Sequence, residues 1–203
     1  MIAIVDYGMG NLHSVEKALQ SFGEKTLIAD TAAALKKCEK IVLPGVGAFD
    51  DAMAELKKKK IDLAIKEAVK NKKIFLGICL GMQLLFEESE EANSEKGLGL
   101  LLGKVNRFSE KSGQKVPQMG WNQLMIEQKN CPLLKGIASG AQVYFCHSFY
   151  PAPAENSVIA ATTDYGIKFS SIVWKENVYG VQFHPEKSQE IGLKILKNFV
   201  ELC

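Results

Sequence analysis

Ile74-Phe75-Leu76-Gly77-Ile78-Cys79-Leu80-Gly81-Met82-Gln83 is the stretch on which the reading of this chain turns. A strand-like apolar run enters it, and Leu84-Leu85-Phe86-Glu87-Glu88, which reads as helix, leaves it. A strand turning sharply into a helix through Gly-x-Cys-x-Gly has the layout of a nucleophile elbow, its glycines relieving crowding in the turn. The helix start aims backbone N–H groups and a positive dipole at the sulfur, and both favour thiolate. Far downstream, His184-Pro185-Glu186 supplies a base and a carboxylate. Residues two apart on an extended segment share a side, so Glu186 can orient the His184 ring, while Pro185 keeps His184 extended. Alone, each has a plainer meaning: a small buried hydrophobe, a structural histidine, a solvated carboxylate. Together, Cys79, His184 and Glu186 point to acyl transfer through a thioester.

Outward from the elbow, apolar segments alternate with helical patterns. Ile2–Val5 reads as a buried strand, followed by a Gly-rich turn and a helix from Leu12 to Phe22. Thr26–Ala29 and Lys40–Leu43 read as strands, Ala48–Leu56 and Ile61–Val69 as helices, and Lys73–Gly77 as the strand feeding the elbow. This alternation predicts an α/β fold with a mostly parallel central sheet flanked by helices. The second half offers shorter strands at Lys104–Phe108, Val116–Trp121, Gln142–Cys146, Val158–Thr162, Phe169–Trp174 and Val178–Phe183, then an amphipathic helix over Gln189–Leu202. Additional antiparallel strands on the parallel sheet fit that pattern. With no repeat or linker, a single domain over residues 1–203 is expected.

Composition narrows the classes. Of 203 residues, 47% are hydrophobic, enough for a full core, and 25 basic against 23 acidic groups leave +2. That balance argues against a nucleic-acid or membrane partner. The runs Lys57–Lys60 and Lys70–Lys73 fall at predicted helix ends and read as solvated faces. No apolar run approaches a membrane span, and no signal pattern precedes the first strand. Five irregularly spaced cysteines argue against a disulfide framework and for a reduced, cytoplasmic setting. His13 reads as a surface or interface group and His147 as a satisfied structural histidine. No zinc spacing and no full dinucleotide fingerprint occur, so neither metal nor cofactor is expected.

In open α/β sheets, ligand sites gather at the carboxyl ends of parallel strands. Cys79 follows one such strand, and Pro44-Gly45-Val46-Gly47 follows another. A glycine-rich loop there can bring backbone N–H groups to a developing oxyanion, although an ordinary turn has the same composition. Gln83 lies one helical turn beyond Cys79 and can reach a substrate's polar end.

These motifs resemble the class I (triad-type) glutamine amidotransferases, and the likeness runs over essentially the whole chain. Beside the elbow it rests on Met1–Leu12, Leu43–Phe49, Met119-Gly120-Trp121-Asn122, Tyr144–Ser148 and Gln182–Ser188. The resemblance implies a glutaminase with Cys79, His184 and Glu186 as triad and the N–H groups of Gly47 and Leu80 as oxyanion donors. It implies Gln83, Glu91, Ser148 and Phe149 as substrate contacts, although the Glu87–Glu91 run also reads as a solvated helix end. It further implies that ammonia passes to a separate (β/α)8-barrel cyclase of histidine biosynthesis in a heterodimer, with Asn11, Gln118, Trp121 and Lys187 at the interface. Gln118 departs from the histidine usual before Met-Gly-Trp-Asn, which leaves open a glutaminase serving a surface-sugar amidating synthase. A stand-alone γ-glutamyl thiol hydrolase is the alternative outside that chemistry.

Overall fold

The structure, a computed structural model, describes residues 1–109 and 113–203. Its first half alternates β1 (Ile2–Val5), α1 (Leu12–Gln20), β2 (Thr26–Ala29), α2 (Ala32–Lys36), β3 (Lys40–Leu43), α3 (Phe49–Lys58), α4 (Ile61–Lys70), β4 (Ile74–Ile78) and α5 (Leu80–Gln83). The second half runs through β5 (Glu88–Ser89), β6 (Gly103–Arg107), β7 (Gln118–Gln123), β8 (Met125–Ile126), β9 (Gln142–His147), β10 (Phe149–Pro153), β11 (Ile159–Asp164), β12 (Lys168–Lys175), β13 (Val178–Val181) and α6 (Gln189–Leu202).

The main sheet has the order β2-β1-β3-β4-β13-β12-β11-β8. From β2 to β13 neighbours are parallel; β12, β11 and β8 continue it antiparallel. Its central strands are buried on both faces, which is why β1 reads as an unbroken apolar run rather than an alternation. Ala3 and Val5 pack toward α2, α3 and α4, and Ile2 and Ile4 toward α1 and α6. Two smaller sheets, β10-β6-β5 and β7-β9, carry the remaining strands.

Register places the functional loops. Val181 pairs with Ile78, so Gln182 leaves β13 level with Cys79, and the Cys79 N–H donates to the Val181 carbonyl at 2.8 Å. On the other side Leu43 pairs with Gly77, so the Pro44–Gly47 loop emerges beside the elbow.

One sequence expectation is corrected here, and α2 and β10 are elements the sequence did not announce. Leu84–Glu88 does not continue the helix, because the Leu84, Leu85 and Phe86 carbonyls accept from the N–H groups of Leu98, Leu100, Leu101 and Gly99. Glu88 then enters β5. α2 went unread because it is too short to show a helical period; Thr31 caps it by accepting from the Ala34 N–H. β10 was missed because Pro151 and Pro153 depress its strand signal, and it lies at a sheet edge where such residues are tolerated.

Candidate active site

Cys79 sits in a backbone conformation that L-residues rarely adopt, φ 54° and ψ −110°. The elbow around it has no room for further side chains. A Cβ on Gly77 would lie 2.4 Å from the Gly81 carbonyl oxygen, and one on Gly81 would lie 1.9 Å from that of Leu43. Such strain costs on the order of 1–3 kcal/mol and holds the thiol at the mouth of the strand. α5 is one turn, so its dipole is smaller than the sequence suggests, but the Leu80 N–H remains at its start without an acceptor in the described chain.

His184 leaves β13 extended (φ −95°, ψ 97°), held by its N–H to the Tyr144 carbonyl at 2.9 Å. Beyond it Pro185–Lys187 forms a 3₁₀ turn. Glu186 therefore reaches His184 by the turn, not by strand alternation, and its Oε1 lies 3.0 Å from Nδ1. Both side chains are buried. Burial disfavours a charged ring there, but hydrogen bonds with Cys79 and Glu186 outweigh it and raise the His184 pKa to about 10. At neutral pH the ring carries a proton beside the sulfur.

The triad opens into a cleft of about 360 Å³ whose wall includes Gly47, Leu80, Gln83, Glu91, Ser148 and Phe149. Every sequence-derived triad, oxyanion and substrate residue except Glu186 thus lines one cavity, and Glu186 stands behind His184. Gly47 takes φ +99°, and its N–H also has no acceptor in the described chain. Glu91 is not a solvated helix end: its Oε2 accepts from the Phe49 N–H at 3.0 Å at the start of α3, and burial raises its pKa. The Phe149 carbonyl is fully engaged, accepting from Gln83 Nε2 at 2.9 Å and His147 Nδ1 at 2.7 Å. Ser148 has an N–H on the same wall with no acceptor among the described residues.

Of the expected interface groups, Asn11, Trp121 and Lys187 are exposed, Trp121 by 45%. Asn11 also caps α1 through Ser14. Gln118 is corrected: its side chain faces inward, only 3% exposed, with its amide end 3.0 Å from His147 Nε2. Alternation along β7 accounts for this, since Met119 and Trp121 take the outer positions. Gln182 was quoted within a motif but given no role, yet its Nε2 lies 3.8 Å from Cys79 Sγ. The available signal was its position directly after the strand and two residues before His184.

Residues 3–203 match the family described as "Glutamine amidotransferase class-I". The chain belongs to the class I glutamine amidotransferases. It is 49% identical to the "Imidazole glycerol phosphate synthase subunit HisH" of Syntrophotalea carbinolica, covering 100% of both chains. Proteins of the same name from Desulfitobacterium hafniense and Geobacter sulfurreducens are 51% and 47% identical, over 98% and 99% of this chain and 93% and 98% of theirs. Within the class, its relatives are thus HisH subunits. A crystal structure of a glutamine amidotransferase superposes with TM-score 0.78 at 18% identity, covering 100% and 98% of the two chains. The structure of PurLQS from Thermotoga maritima gives 0.76 at 23%, covering 98% and 96%. Those likenesses speak to the fold alone.

Proposed function

We propose that residues 1–203 act as one glutaminase domain, the subunit of imidazole glycerol phosphate synthase that hydrolyses glutamine for histidine biosynthesis. The observation that carries this reading is the His184–Glu186 contact at 3.0 Å, with Cys79 and His184 on the wall of one cleft. The thiolate attacks the side-chain amide carbon of glutamine, forming a C–S bond and an oxyanion. The Gly47 and Leu80 N–H groups hold that oxyanion. His184 gives its proton to the departing nitrogen, ammonia leaves, and a γ-glutamyl thioester remains. Neutral His184 then takes a proton from water, the oxygen adds to the thioester carbon, and the C–S bond breaks to return thiolate and release glutamate. Glu186 keeps the ring oriented and supports its charge.

Gln83 has committed its amide N–H groups inside the protein, so it meets the substrate through Oε1. The Ser148 N–H and the carboxylate of Glu91, both on the cleft wall, supply a donor and an anion for the carboxylate and ammonium of glutamine.

Ammonia passes to a (β/α)8-barrel cyclase that pairs with this chain as a cytoplasmic heterodimer. Exposed Asn11, Trp121 and Lys187 support docking over the cleft, Lys187 being part of its wall. The HisH subunits to which the chain is about half identical weigh against a surface-sugar synthase partner and against an independent γ-glutamyl hydrolase.

The test is glutamate release from glutamine by the chain alone, then with the cyclase and its nucleotide ligand. Strong stimulation that disappears in Cys79→Ala is expected. Full turnover without the cyclase, or stimulation that survives Cys79→Ala, would overturn the reading.

A further inference from the structure

The amide of Gln182 stands against the nucleophile, and the hydrogen bonds around it decide which end does so. Its Nε2 is 3.8 Å from Cys79 Sγ, and its side chain is fully buried. Amide oxygen and nitrogen are distinguished by their partners, so the assignment starts from a group that can only accept. That group is the Phe149 carbonyl, 2.9 Å from Gln83 Nε2. Gln83 therefore turns its nitrogen that way, and the same nitrogen donates to Gln182 Oε1 at 3.2 Å. With its oxygen occupied by Gln83, Gln182 has only its nitrogen left to face the sulfur. The chain Phe149 carbonyl, Gln83, Gln182, Cys79 thus has a single consistent direction.

We infer that Gln182 is a catalytic residue of this site: its side-chain amide donates a hydrogen bond directly to Cys79 Sγ and stabilises the thiolate. The inference rests on the glutaminase reading and deepens it. Two neighbours of the sulfur have opposite preferences. The Cys146 carbonyl, 3.9 Å away, can only accept and so suits a thiol. An N–H donor suits a thiolate and offsets that carbonyl. The same donor serves twice, before attack on the amide carbon and again when the C–S bond breaks and sulfur leaves as thiolate. The β13–β4 register makes this placement possible, because Val181 pairs with Ile78 and so sets Gln182 level with Cys79. Other titratable groups facing this region are His184 with Glu186 behind it, Tyr7 beyond the end of β1, Tyr144, Cys146 and His147 from β9, and Glu91 and Lys187 on the cleft wall.

The test is the pH dependence of Cys79 alkylation by iodoacetamide in the full-length chain, read by mass spectrometry of the Cys79 peptide. Gln182→Met keeps the volume and removes the donor. Its alkylation inflection is expected about one pH unit higher, with roughly tenfold slower reaction below both inflections. Gln182→Glu places a carboxylate at the sulfur and is expected to move it further. A merely structural glutamine would lower the melting temperature and leave the inflection in place, and that result would overturn the inference. Should the variants not fold, the native chain decides: the Gln182 side-chain amide proton resonances should follow the Cys79 titration and lose that dependence in Cys79→Ala. Resonances that ignore the titration would also overturn it. Alkylation needs neither glutamine nor partner, so a shifted inflection without any glutamate release with the cyclase would refute the glutaminase reading and leave the contact standing.

Discussion

His147 has a ring nitrogen against each of two polar neighbours, and only one proton arrangement satisfies both. The Phe149 carbonyl can only accept, so Nδ1 carries the proton at 2.7 Å. Burial, chiefly, lowers the ring's pKa to about 4; the Phe149 bond opposes this and the charge on His184 adds to it. The ring is therefore neutral at pH 7, and Nε2 needs a donor; the structure sets Gln118 Oε1 3.0 Å from Nε2, so this proton arrangement requires the Gln118 amide turned about to bring its nitrogen there. A histidine at position 118 would offer a second titratable ring there, whereas glutamine offers a neutral donor at all pH values. The linkage has a definite sign. A depressed folded pKa gives stability that is present above the unfolded value near 6.5 and lost as pH falls through about 4. Over that window His147 is expected to remove on the order of 3 kcal/mol of stability. Urea unfolding at stepped pH should show this slope in the native chain and its absence in His147→Asn, which will itself be less stable at pH 7. An equal slope in both proteins would assign the acid sensitivity elsewhere.

Elements that a strong period defines were legible in the sequence, and those fixed by distant partners were not. α6 spans Gln189–Leu202 as its apolar positions predict, with Ile195, Leu196 and Phe199 fully buried. The parallel strands likewise announce themselves as apolar runs, and their order around the elbow brings Gly47, Cys79 and His184 to one cleft. Leu84–Phe86 looked helical because its composition is helical; its carbonyls are taken by a loop some dozen residues on, which no local pattern records. Gln118 was misplaced for a related reason, since a motif gives position along β7 but not which face turns inward. Charged groups show the same blindness. Lys40, in β3, sends its ammonium to the carbonyls of Phe199, Val200 and Cys203 at 2.9, 2.6 and 2.9 Å, capping α6 from across the fold. A cation on unpaired C-terminal carbonyls is favourable both as hydrogen bond and against the dipole. Lys40→Met is expected to cost about 1–2 kcal/mol, visible as a lower denaturation midpoint and faster amide exchange in the last turn of α6. Unchanged exchange there would mean water replaces the ammonium without loss.

At the scale of the whole molecule, the Pro44–Gly47 loop, the proposed source of one oxyanion donor, is pinned on both sides. Tyr7 donates to the Pro44 carbonyl at 3.1 Å, and Glu91 accepts from the Phe49 N–H at 3.0 Å. Between these anchors Val46 is 45% exposed and Gly47 holds a left-handed φ, so one peptide unit can turn without disturbing either strand. If a partner covering the cleft selects a second arrangement of the Val46–Gly47 peptide, one better directed at the oxyanion, the anchors set how rarely the free chain adopts it. The Tyr7 hydroxyl is buried against the Gly45 backbone, where a Cβ would lie 2.4 Å away, so it holds the resting loop in one position. Removing it in Tyr7→Phe takes away about 1 kcal/mol of that preference and leaves the ring's packing intact. Glutamate release by the chain alone is then expected to rise roughly fivefold, while the rate with cyclase and nucleotide ligand stays near native, so the stimulation ratio falls by the same factor. The measurement is steady-state glutaminase activity of native and variant, each with and without cyclase. A proportional drop in both states would show instead that the Tyr7–Pro44 bond is kept in the working conformation, and the gate would then lie in the rigid seating of the partner rather than in the loop.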